Sequence, residues 1–178
     1  MLHAPEGRGA LEYLKKRGLS DAIIKRFRLG YAPSGNMLKT KLVARGVKED
    51  LLLECRLVSP GKEGRESFDF FRDRVMFPIL DMRGRPVAFG GRVMGEGEPK
   101  YLNSPDTPLF HKGQMLYGFS LARAPAGEKR EVIVAEGYMD VIGLAQAGFN
   151  HAVAPLGTAM TEAQLAILWR LAPEPILC

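Results

Sequence analysis

Two carboxylates four residues apart, Glu136 and Asp140 in "VIVAEGYMDVIGLAQAGF" (132–149), stand where a short apolar run gives way to a helix-periodic one. Carboxylates at such an exit can hold a hard divalent cation or accept a proton from an attacking hydroxyl. The plainer use fits the spacing equally well: acids in the first turn of a helix complement the positive end of its dipole. A second apolar run, "HAVAP", is followed in the same way by Gly157 and Thr158.

The surrounding periodicity says which elements must place these residues. Val132 to Ala135 reads as a strand, and Tyr138 to Ala147 as a helix through the spacing of Val141, Ile142, Leu144 and Ala145. "HAVAPLG" reads as a second strand, Thr161 to Leu171 as a second helix, and "PILC" as the opening of a third strand. Short apolar strands alternating with helices predict an α/β layer, a parallel sheet joined by right-handed crossovers. Ligands of such sheets bind beyond the carboxyl ends of the strands, which is where Glu136, Gly157 and Thr158 fall. Cys178 closes the chain in mid-strand, the pattern expected of a fragment whose site lacks a wall.

Upstream, the charge is gathered in a block. From Arg8 to Arg45 there are ten Lys or Arg residues against two acids, Glu12 and Asp21. "LEYLKKRGLS" predicts a helix with a basic last turn and a stop at Gly18. "SDAIIKRF" restarts with Ser20 as N-cap, and "NMLKTKLVARG" repeats the scheme with Asn36 as cap and Gly46 as stop. Two β-rich runs, Val75 to Leu80 and Pro86 to Val93, flank a turn in which Gly84 can take positive φ, so an antiparallel hairpin is expected. Arg92 follows Gly90 and Gly91, where missing side chains would let a ligand approach the backbone, although a structural bulge or a solvated hairpin explains such a pair more often. "GEGEPKYLNSPDTPLFHKGQMLYGF" predicts a long ordered loop whose Lys100, Tyr101, His111 and Lys112 could hold phosphates and stack bases. "ARAPAGEKRE" (122–131) has the composition of a linker, which divides the chain into residues 1–125 and 126–178.

Composition narrows the class. The 178 residues, 46% hydrophobic and 25% charged, suffice for a packed core. No run nears the roughly 18 apolar residues of a membrane span, and no signal-peptide order appears at the start, so a soluble, cytoplasmic protein is expected. Two distant cysteines, Cys55 and Cys178, encode neither a disulfide framework nor a zinc site. A net charge of +5 admits a polyanionic partner.

Four long segments, "RFRLGYAP" (26–33), "FRDRVMFPILDMRGRPVAFGGRV" (71–93), "PKYLNSPDTPLFHKGQMLYG" (99–118) and "VAEGYMDVIGLAQAGFNHAVAPLGTAMT" (134–161), resemble in order the polymerase core of the bacterial replicative primase, the DnaG family. The resemblance implies an enzyme that lays short RNA primers on single-stranded DNA by metal-dependent condensation of ribonucleoside triphosphates. It implies an α+β N-terminal subdomain over residues 1–125, followed over 126–178 by the first βαβαβ part of a Toprim fold. By resemblance Glu136 is the Toprim glutamate and Asp140 the aspartate of the same motif, with Gly137, Tyr138, Gly157 and Thr158 in the matching turns. The template track falls on Arg17, Arg92, Lys100 and Lys112, with Tyr101, Asn103 and Ser104 lining the groove. Magnesium or manganese is the implied ion, with Glu136 either its ligand or the proton acceptor. The replicative helicase is implied as a partner, met through a C-terminal domain.

The chain departs from the family pattern twice. The family's zinc-binding domain has no ligand set here, and the Asp-x-Asp motif expected after "PILC" is absent, so this chain alone is expected to be inactive. A single-stranded DNA-binding module, or a Toprim nuclease using the same Glu136, is the alternative. "GGRV" and "PKYLNSP", which a Toprim module alone does not require, favour the primase.

Overall fold

A computed structural model describes residues 1–62, 64–157 and 159–178. After a 3₁₀ turn at Pro5–Gly7 come α1 (Arg8–Lys16), α2 (Asp21–Arg26), β1 (Gly30–Ala32), α3 (Met37–Val43), α4 (Glu49–Glu54), β2 (Val58–Ser59) and β3 (Phe68–Asp69). The hairpin β4 (Arg74–Leu80) and β5 (Pro86–Val93) follows, then β6 (Tyr101–Asn103), a 3₁₀ turn at Lys112–Gln114 and β7 (Leu116–Tyr117). The remainder alternates: α5 (Phe119–Lys129), β8 (Ile133–Val134), α6 (Tyr138–Gln146), β9 (Ala152–Pro155), α7 (Glu162–Leu171) and β10 (Ile176–Leu177).

Local chemistry explains most of the early elements. Gly18 ends α1 in the left-handed region, at φ +83. Ser20 starts α2 by accepting from the Ile23 amide at 3.3 Å. The loop between these helices is docked on the far end of α6, where Gln146 donates to the Gly18 carbonyl at 2.7 Å and accepts from the Ser20 amide at 2.8 Å. The expected cap of α3 is different. Asn36 turns its amide oxygen to the Asp69 amide at 3.1 Å, and Asp69 caps α3 instead, taking the Leu38 and Lys39 amides at 2.7 and 2.9 Å. A carboxylate from β3 thus does the work expected of a neighbouring amide, with the stronger charge-assisted bond.

The first sheet has the order β1-β4-β5-β6 and is antiparallel throughout. Val75, Phe77 and Ile79 alternate inward from β4 and are fully buried. The second sheet has the order β10-β8-β9-β7. Its first three strands are parallel, as the periodicity of residues 132–178 predicts, and β7 adds an antiparallel edge from within the long anchored loop. The chain leaves β8 toward β9 on one side and returns to β10 on the other. The strand order therefore reverses between β8 and β10, and open α/β sheets gape at such a point.

The expected linker is instead helical. Residues 122–131 fall mostly in α5, where Ala122 and Ala126 are buried against the second sheet despite Pro125 in the helix interior. Their apolar face decides the outcome over the breaker composition. One core joins the sheets, running from Leu14 and Ile24 through Val75, Phe77 and Phe110 to Tyr117, Ile142 and Ala154. Among the described residues, no helix is long and apolar enough to cross a membrane.

Candidate nucleic-acid and carboxylate site

A cavity of about 420 Å³ opens beyond the carboxyl ends of β8 and β9. Arg17 from the end of α1, and Tyr101 and Asn103 from β6, face Glu136, Asp140 and Gly157 across it. Tyr101 and Asn103 are two residues apart on a strand and so share a face. Glu136 and Asp140 also line a second recess with Ala135 and Cys178, in the gap between β8 and β10. Both carboxylates are exposed. Asp140 lies in the first turn of α6, so the dipole explanation applies to it as well as the functional one. Gly157 has φ +145, a conformation suited to glycine. Thr158 lies outside the described residues.

Tyr138 ties the cavity to the first sheet. Its ring stacks on Phe77 at 4.9 Å and meets Tyr117 edge-on at 4.6 Å, and its hydroxyl donates to Asn103 Oδ1 at 2.6 Å. A methyl group on Gly90 would collide with the Tyr138 ring, and one on Gly91 with Phe71 and Arg74. The glycine pair therefore makes room for the protein's own side chains and not for a ligand, the less common of the uses that the sequence allows. Burial pushes the phenols of Tyr138 and Tyr117 well up, so both stay neutral. The phenol of Tyr101 is also raised, by burial first and then by Tyr13, while Arg92 and Arg17 oppose the rise.

The other expected cations are dispersed. Arg92 lies over the Tyr13 ring at 4.4 Å and donates to the Val93 carbonyl at 2.9 Å. It shares a recess with exposed Lys100, whose segment is held by buried Arg74 donating to the Pro99 carbonyl at 2.9 Å. Lys112 lies away from the cavity on its 3₁₀ turn, its carbonyl accepting from Gln164 at 3.0 Å. Ser104 is buried and bonds both ways with Phe89, the Ser104 amide to the carbonyl at 2.8 Å and its hydroxyl from the amide at 3.1 Å. It faces a different cavity, beside Leu109, so its place is a structural clasp between β5 and β6. Tyr13 escapes the sequence reading. The available signal for Tyr13 is its position four residues before Arg17 on one helix face.

Hard carboxylate oxygens suit a magnesium-type cation, but such an ion takes about six oxygen ligands in octahedral array. Among the described residues, no group of three or more Asp, Glu, His or Cys side chains is arranged to hold a metal. Glu136 and Asp140 by themselves could therefore fill only part of such a shell.

Comparison with known proteins gives two family matches: "DNA primase catalytic core, N-terminal domain" over residues 1–123 and "Toprim domain" over residues 130–178. The chain is 51% identical over 176 residues to a DNA primase of Pseudomonas putida, covering 98% of this chain and 26% of that protein. It is 46% identical over 179 residues to the Escherichia coli K12 DNA primase, covering 99% of this chain and 30% of the relative. The chain thus spans between a quarter and a third of these relatives. A solved DnaG primase catalytic domain bound to single-stranded DNA superposes with a TM-score of 0.88 at 45% identity, covering 99% of this chain and 55% of that one.

Proposed function

Since the chain belongs to the DNA primase catalytic core family, we propose that it forms part of an RNA polymerase that lays short RNA primers on single-stranded DNA. The observation that carries this reading is the cavity, which sets Arg17, Tyr101 and Asn103 opposite Glu136 and Asp140. We take residues 1–125 as the template-binding subdomain and 126–178 as the Toprim part.

The two sides have different tasks. Arg17, with Lys100 and Arg92 along the approach, would neutralise backbone phosphates without reading sequence, and Tyr101, 41% exposed, offers a ring for base stacking. In primer synthesis a ribose 3′-hydroxyl oxygen attacks an α-phosphate, the bond from that phosphorus to the β-phosphate oxygen breaks and pyrophosphate leaves, and the hydroxyl proton must be taken up. Glu136, which lines the switch-point crevice, would accept that proton or supply one ligand of a cation. A Toprim centre of this kind is metal-dependent, and carboxylate donors favour magnesium or manganese, which would neutralise charge on the attacking and leaving oxygens. Glu136 and Asp140 need further ligands to hold that ion. Zinc, which the family carries in another domain, finds no ligand set among the described residues.

The proposed substrates are ribonucleoside triphosphates, the proposed site of work is the cytoplasmic replication fork, and the replicative helicase is a partner of other parts of the full-length protein. A salt titration tests the template reading. Fluorescent single-stranded DNA is expected to bind this chain more tightly than duplex of equal length. Lys100, which makes no ion pair among the described residues, is the cleanest probe. Lys100→Ala should weaken binding and lower the slope of log K against log salt by about 0.7. An unchanged slope would take Lys100 off the track.

A further inference from the structure

Asn103 has an amide whose two ends offer opposite chemistry, an acceptor oxygen and a donor NH2 group. Which end meets a ligand decides what the cavity can recognise there. The neighbouring groups fix the choice. The Tyr138 hydroxyl lies 2.6 Å from Asn103 Oδ1, and Tyr138 is only 7% exposed. The phenolic proton needs an acceptor in that buried place, and a reversed amide would offer it NH2 hydrogens instead. Oδ1 is therefore held inward, and Nδ2 is the end left for the cavity.

Backbone geometry supports the same arrangement. Gly90 on β5 is the register partner of Asn103 on β6. Because Gly90 has no side chain, the Tyr138 ring crosses β5 at that position and its hydroxyl arrives at the Asn103 side chain; a methyl on Gly90 would fall on the ring and hydroxyl. The ring is clamped by Phe77 on one face, with Tyr117 edge-on, so the hydroxyl cannot swing away without disturbing the shared core. An aromatic residue from α6 thus sets the orientation of a polar group on a different sheet.

We propose that Tyr138 is a positioning residue: through its hydroxyl it holds the Asn103 amide with NH2 toward the cavity, as a donor to an acceptor oxygen of bound nucleic acid. That oxygen is a backbone phosphate or a base carbonyl, which present the same chemistry to an NH2 donor. The inference rests on the reading of the cavity as a nucleic-acid site.

The test is a double-mutant cycle on the 178-residue chain, read by anisotropy of a fluorescent single-stranded oligonucleotide. Tyr138→Phe keeps the ring and its stacking and removes only the hydroxyl, and Asn103→Ala removes the amide. Each is expected to weaken binding about three- to tenfold, the range of one hydrogen bond. The double variant is expected to bind no more weakly than Asn103→Ala alone, because Tyr138 acts only through that amide. A merely structural Tyr138 would lose affinity in the Asn103→Ala background too, and that additive outcome overturns the proposal. Tyr138→Phe binding like the parent while Asn103→Ala binds weakly also overturns it, yet leaves the nucleic-acid reading standing. Parental binding by Asn103→Ala removes Asn103 from the site and the proposal with it, and failure of the parent chain to bind sinks the reading beneath both. An abasic oligonucleotide separates the two oxygen sources: the same losses on it indicate a phosphate, and losses confined to the base-bearing strand indicate a carbonyl.

Discussion

At Glu136 a solvent-exposed carboxylate occupies the turn after β8, beside the gap where the strand order reverses. A negative charge there has no ion pair among the described residues, so its removal should cost little in folding and much in chemistry. On the proposed function, Glu136→Gln in the full-length protein is expected to lower primer synthesis by at least about 100-fold, the lower range for a lost proton-transfer group, with template affinity unchanged. Primer assays beside anisotropy decide it, and retained synthesis would end the role. Tyr31 gives a prediction in pH. Burial first, then its 2.7 Å hydrogen bond to Asp73 and that residue's charge, raise the phenol from its ordinary 10.0 to about 12. A pKa raised on folding stabilises the protonated form, so its contribution is complete below pH 10 and is lost as pH climbs through about 12. Tyr31→Phe should therefore lose less stability than the parent between pH 10 and 12, measured by denaturant unfolding across that window. Identical pH slopes would show that the bond does not couple to folding.

Among the elements, α3 shows most clearly how local and distant chemistry divide. Asp69, 2% exposed, accepts two amides at the start of that helix from β3, beyond α4 and β2 in the chain. Asp69→Ala should cost about 1–3 kcal/mol, seen as a lower thermal midpoint, and Asp69→Asn, with one acceptor oxygen, should fall between. A parental midpoint for Asp69→Ala would mean that Asn36 takes over the cap. Residues that act on their own neighbours were legible: Ser20 caps α2, Gly18 and Gly46 take positive φ, Gly84 turns the hairpin, and the apolar periodicity places β8, α6, β9, α7 and β10. What could not be read depends on partners remote in sequence. Pro125 and Gly127 look like linker residues until Ala122 and Ala126 find a sheet to cover. Gly90 looks open to a ligand until Tyr138, far along the chain, fills the space. In the site, charge and spacing marked Arg17, Tyr101, Glu136 and Asp140 together with Lys112, and nothing in the string showed that Lys112 lies off the cavity lining or that Ser104, named by the resemblance alone, lines another cavity.

For the molecule as a whole, the decisive feature is a core shared by both sheets, with Tyr138 of the second part stacked on Phe77 of the first. Separate unfolding of either part would expose that surface, so the chain is expected to melt in one transition. Fluorescence of the single tryptophan, Trp169 on α7, and backbone circular dichroism should give the same denaturant midpoint; separated midpoints would show two independent units. The cavity inherits this long-range construction. Arg17, Tyr101 and Asn103 are made first on the ribosome, Glu136 and Asp140 later, and β10, which borders the switch-point crevice, later still. Translation order therefore sets a timetable: the residues of the cationic wall leave the ribosome before those of the acidic wall, and the cavity can take shape only after both have emerged and the shared core has closed.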